Sequence, residues 1–138
     1  MTTAHGHASV AYGTPAIRRY RFVLMTSIVL NVAVAFFIIF SPGGFTNLLQ
    51  QPDAFPSAWP RHWGFQLLAI NGLYLPGFRD PVRHRWPNWC GIVIRGTFAL
   101  FFLSQGDGFV PMGIYDGLSG LALLFTYLPV VKSAPPQD

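Results

Sequence analysis

The chain has 138 residues, enough for one compact unit, and 51% of them are apolar. Only 10% are charged, against about a quarter in a soluble domain, which is too few to clothe a water-facing surface of this size. The net charge of +4 comes from short basic clusters between apolar runs rather than from a basic face, which argues against nucleic acid as a partner and fits the loops of a membrane protein.

The first apolar run, residues 22–40, contains nineteen residues and no charge. At about 1.5 Å per residue it reaches roughly 28 Å, the depth of a hydrocarbon core. It follows a 21-residue start carrying Arg18, Arg19 and Arg21. A cleavable signal has a shorter start, a shorter apolar stretch and a small-x-small site. Ser41-Pro42-Gly43-Gly44 is no such site, and Tyr20-Arg21 fits a twin-arginine signal badly, so a retained helix is expected. The same four residues are expected to stop that helix.

Residues 41–62 form the expected outer loop, with Pro42, Pro52, Pro56 and Pro60 beside Phe45, Phe55 and Trp59. So many prolines predict irregular structure. Such a loop can lie on the membrane surface, cap the bundle, meet a partner or simply connect. The second run, 63–78, holds Gln66 and Asn71 and is weakened by Gly72 and Pro76. An inner loop, 79–86, carries Arg79, Arg83 and Arg85. The third run, 87–104, contains Arg95. The fourth, 112–131, contains Asp116, follows Pro111 and meets Pro129 in its last turn. Residues 132–138 are a short tail.

Charge supports the doubtful second run. With four spans, the three arginines before the first run, the three of the inner loop and Lys132 share one side, while Arg61 alone lies on the other. Basic residues gather in cytoplasmic loops. The expectation is therefore an all-α, four-helix transmembrane bundle with both termini cytoplasmic, in a bacterial inner membrane. Without the second run the asymmetry collapses. Trp59, Trp63, Trp86 and Trp89 fall near span ends, as an aromatic belt requires.

The polar residues inside the runs are the candidate site: Arg95, Asp116, Gln66, Asn71 and Asn31. A basic group at mid-membrane costs roughly 2.5–3.5 kcal/mol and normally faces the bundle or a partner. Counted from the span ends, Arg95 and Asp116 differ in level by roughly 11–15 Å, a gap for water or a polar group to close. Three readings of Arg95 follow: a structural bond to Asp116, Gln66 or Asn71; snorkelling to the headgroups; or binding of a substrate, quinone or anion. Ser27, Asn31 and Ala35 share one helix face. Gly113, Gly117 and Leu121 mark another, with Gly120 beside it, where helices approach closely within the protomer or between protomers.

Other chemistry is absent from the pattern. Cys90 is a lone cysteine, so no intrachain disulfide or cysteine-cluster metal site is open to it. His5, His7, His62 and His84 all lie outside the runs, which argues against a membrane haem. His5-x-His7 is a weak metal match on a polar tail. No phosphate loop or nucleophile–base pair is visible. The reading is a chain with no metal and no cofactor, leaning away from an enzyme. Its partners are the bilayer and a larger membrane complex or a second copy of itself. The leading expectation is a non-catalytic accessory or assembly subunit. A small oligomeric transporter or channel using Arg95 and Asp116 is the alternative, followed by a quinone- or lipid-linked redox component.

The four short spans, an arginine in the third, and Gly113-Ile114-Tyr115-Asp116-Gly117 opening the fourth resemble the small four-helix bacterial membrane proteins called DoxX-like. The resemblance covers the apolar part of the chain. It implies a fold, and no residue role.

Overall fold

The computed structural model describes residues 14–53 and 55–133. The His5-x-His7 match and most of both tails lie outside them. Among the described residues there is no strand, and four long helices carry the structure: α1 (Pro15–Phe40), α3 (Ala58–Arg79), α4 (Arg85–Gln105) and α5 (Val110–Ser133), with a short α2 (Pro42–Leu48) between the first two. A 3-10 turn, Asp107–Phe109, leads into α5. α1 packs on α3 and α5, and α4 packs on α5 and α3, closing a ring.

Local chemistry sets the ends. Thr14 Oγ1 accepts a hydrogen bond from the Ile17 amide, and Pro15 occupies the first turn, where its missing N–H costs nothing. α1 breaks at Ser41, but Pro42 restarts a helix at once. The expected irregular stretch 41–62 is thus partly helical. Its prolines are the reason: Pro42 opens α2 and Pro60 lies in the first turn of α3, both positions that helices accept. α2 folds back on α1 through an edge-on contact of Phe45 with Phe37, with centroids 5.8 Å apart. Asp80 ends α3, its carboxylate accepting from the amides of Val82 and Arg83 at 3.2 and 2.9 Å. Gly106, at φ 75°, turns the chain from α4 toward α5, a backbone angle that favours glycine.

The two ends of the bundle differ in charge. Gln51 donates to the Gly108 carbonyl at 3.1 Å at one end. At the other, Arg21 donates to the Phe78 carbonyl at 2.9 Å and to the Arg79 carbonyl, and Tyr127 donates to the Pro81 carbonyl at 3.0 Å. That second end gathers Arg18, Arg19, Arg21, Arg79, Arg83, Arg85 and Lys132. Arg21 meets the unpaired carbonyls that every helix C-terminus leaves.

Burial runs against the habit of a soluble domain. Phe22 is 73% exposed and Leu100 74%, and large apolar side chains face outward on all four long helices. Arg95 is 3% exposed, Asn71 3% and Asn31 4%. Contiguous apolar surface of this kind marks contact with membrane or protein. Two segments, Pro15–Phe40 and Asp107–Ser133, are long and apolar enough to cross a membrane. α3 and α4 are as long as a span needs, but Gln66 and Asn71, Asn88 and Arg95 lower their hydropathy. The expected glycine face of the fourth helix is shifted: Gly113 and Gly120 are buried, whereas Leu121 is 51% exposed. Two turns of an α-helix, seven residues, return to nearly one face, so Gly113 and Gly120 align and Leu121 turns away.

Candidate polar site

Arg95 lies midway along α4, ten residues from either end. The contact partners of α5's glycines fix how α4 and α5 meet: Leu103 at Gly113, Ala99 at Gly117 and Arg95 at Gly120. In that antiparallel register Asp116 lies opposite residue 100, about 7.5 Å along the axis from Arg95. An extended arginine side chain covers that distance. Arg95 Nη1 therefore donates directly to Asp116 Oδ1 at 2.8 Å. The level difference expected from span counting was too large, because α5 starts outside its apolar run and the glycines set the register.

The guanidinium makes a second bond, Nη2 to Ser27 Oγ at 2.8 Å on α1, and its carbon lies 5.7 Å from the centre of the Tyr115 ring. A cation held between a carboxylate, a hydroxyl and an aromatic ring is well compensated. Beside this group runs a chain of amides. Tyr115 Oη donates to Asn31 Oδ1 at 2.9 Å, Asn31 Nδ2 donates to Asn71 Oδ1 at 3.3 Å, and Asn71 Nδ2 donates to the Leu67 carbonyl at 2.6 Å. Polar atoms removed from water must pair, and these pair across helices α1, α3 and α5. One donor is left over: Arg95 Nε–H is buried and finds no acceptor among the described residues. Such an unmet group costs about 1–3 kcal/mol.

Two cavities flank the pair. One of about 180 Å³ lies under α2, with Asn31, Tyr115 and Asp116 against the side chains of Phe45, Trp63 and Met112. A smaller one, of about 70 Å³, lies between α3 and α4 beside Arg95, Tyr74 and Phe98.

Of the residues expected from sequence, Arg95, Asp116, Asn31 and Asn71 come together within the bundle. Gln66 does not join their hydrogen bonds; it is exposed and lines the smaller cavity. Two members were not among the candidates. Ser27 lies one helical turn before Asn31, a spacing that places both on one face. Tyr115 adjoins Asp116, but its hydroxyl reaches a residue 84 positions earlier, which no local pattern signals. Among the described residues no group of three or more His, Cys, Asp or Glu gathers to hold a metal ion.

No family model matches the chain, and no curated protein or solved structure matches it either.

Proposed function

We propose that the chain is a four-span protein of the bacterial inner membrane, both termini cytoplasmic, acting as a non-catalytic accessory or assembly subunit of a larger membrane complex. The observation that carries this reading is the pairing of the buried polar side chains with one another. Arg95 is committed to Asp116 and Ser27, and Asn31 to Tyr115 and Asn71. They hold four helices in register, each of these side chains bonded to another of the cluster. The membrane part of the reading draws on the outward apolar surface. The apolar windows of the two most hydrophobic segments are only 33% and 22% buried, too little for core helices of a soluble domain. It also draws on the single basic end of the bundle, which suits a cytoplasmic face.

Two measurements test it. Single cysteines placed at Asn47 and Arg83 in a Cys90→Ser background should divide, the first reacting with an impermeant thiol reagent in intact cells and the second only after permeabilisation. Labelling of Arg83→Cys from outside would overturn the topology. Mild extraction from native membranes should yield the chain in a stoichiometric assembly larger than its own 15.3 kDa; a stable free monomer as the sole product would overturn the subunit role.

A transporter or channel is the second reading, favoured by the cavities on either side of the ion pair. It requires Arg95→Leu to abolish transport at unchanged membrane abundance. Loss of abundance itself supports the structural role.

A further inference from the structure

The cavity under α2 has mostly apolar walls, and its polar lining is Asn31, Tyr115 and Asp116. Two of those three are spent on the cluster: Tyr115 Oη donates to Asn31 Oδ1, and Asn31 Nδ2 donates to Asn71. Asp116 is only half spent. Its Oδ1 accepts from Arg95, and its Oδ2 takes no hydrogen bond among the described residues. Nor is Oδ2 sealed in. The buried side-chain atoms without a partner among the described residues are Asn88 Oδ1 and Arg95 Nε, and the Asp116 side chain is 15% exposed where Arg95 is 3%. Asp116 lines this cavity and Arg95 does not. The ion pair thus turns its accepting side to the cavity and its donating side away.

We infer that this cavity binds a small neutral alcohol, one ring in size, whose hydroxyl donates to Asp116 Oδ2 and whose apolar body lies against Phe45, Trp63 and Met112. Volume sets the body. The cavity measures about 180 Å³, and a dry cavity of about 150 Å³ admits a benzene ring. The other cavity that Asp116 borders, about 70 Å³, does not. Charge sets the head group. Arg95 already neutralises Asp116 at 2.8 Å, so a bound cation would leave surplus charge away from water, and an anion would meet the carboxylate. A hydroxyl adds no charge, and an O–H donor to a carboxylate forms one of the stronger hydrogen bonds. Direction narrows the class further. The unspent atom of the ion pair here is an acceptor, so a ketone or ether, which has only lone pairs to offer, finds no donor in it. The inference stands on the cavity and the carboxylate, whichever compartment either end of the bundle faces. Binding alone is inferred, with no reaction.

The test titrates the full chain in detergent with cyclohexylmethanol and follows tryptophan emission. The change should saturate, and Trp63→Phe should lose much of it. Methylcyclohexane has the same body and no hydroxyl, and should bind about tenfold more weakly, the loss of one charge-assisted bond. Cyclohexylmethylamine, protonated at neutral pH, should also bind more weakly than the alcohol. The double variant Arg95→Met with Asp116→Leu removes the acceptor without stranding a charge, and should bind alcohol and hydrocarbon alike. Val34→Phe, at a half-buried wall position away from the ion pair, fills the cavity and should weaken the alcohol about tenfold, so the test stands even if the double variant fails to fold. Phe98→Leu alters only the neighbouring cavities and should leave binding unchanged. A change that rises without saturation, a hydrocarbon that binds as well as the alcohol, an amine that binds more tightly, or a Val34→Phe variant that binds normally overturns the site.

Discussion

At the scale of single residues, Arg95 and Asp116 stabilise each other only as a pair. Removing one partner of a buried ion pair leaves the other uncompensated and costs roughly 3–5 kcal/mol. Asp116→Ala and Arg95→Leu should each lower the melting temperature in detergent and the amount of protein in the membrane. The double variant Arg95→Met with Asp116→Leu removes both charges and should recover most of that loss. If the double variant is as unstable as the sum of the singles, the pair is not coupled. The candidates for this cluster were legible in the sequence, because a charge within an apolar run must have a reason. Their direct contact was not. Span ends are a poor ruler when glycines at the helix interface, rather than the apolar limits, set the register.

Helices bring a second set of forces. Gly120 presses on Arg95, with an added Cβ 3.2 Å from the Arg95 Cβ. Gly120→Leu should force α4 and α5 apart and cost about 1–3 kcal/mol by thermal unfolding. Gly96 faces open space, so Gly96→Ala should be neutral or stabilise by up to about 1 kcal/mol, as helix propensity alone dictates. Equal effects of the two would contradict the packing described. Arg21→Ala removes the donors that cap α3 at the Phe78 and Arg79 carbonyls and should cost about 1 kcal/mol in the same assay. Among the elements, α4 and α5 follow their expected runs to within two residues at each end, whereas α1 and α3 begin well before theirs, at Pro15 and Ala58. The short α2 was illegible: proline content suggests a break, but Pro42 sits where a helix begins, and a helix of seven residues is held by tertiary burial of Phe45 and Thr46.

For the whole molecule, the polar interior and apolar exterior form one pattern. Its surface is apolar, and its interior asks for four helices at once. α1 supplies Ser27 and Asn31, α3 supplies Asn71, α4 supplies Arg95, and α5 supplies Tyr115 and Asp116. No three of these helices complete the cluster, so unfolding should be cooperative. Two overlapping fragments split at the turn 80–84, each unstable alone, should associate when expressed together; independent stability of either would contradict this design.

The Gly106 turn has a consequence for how the chain is made. Arg95 precedes its counter-ion by 21 residues, with only that tight reversal between them. During synthesis the arginine is ready before the aspartate exists. On the four-span reading proposed above, α4 waits at the insertion machinery until α5 arrives, and the two enter as a hairpin with their charges already neutralised.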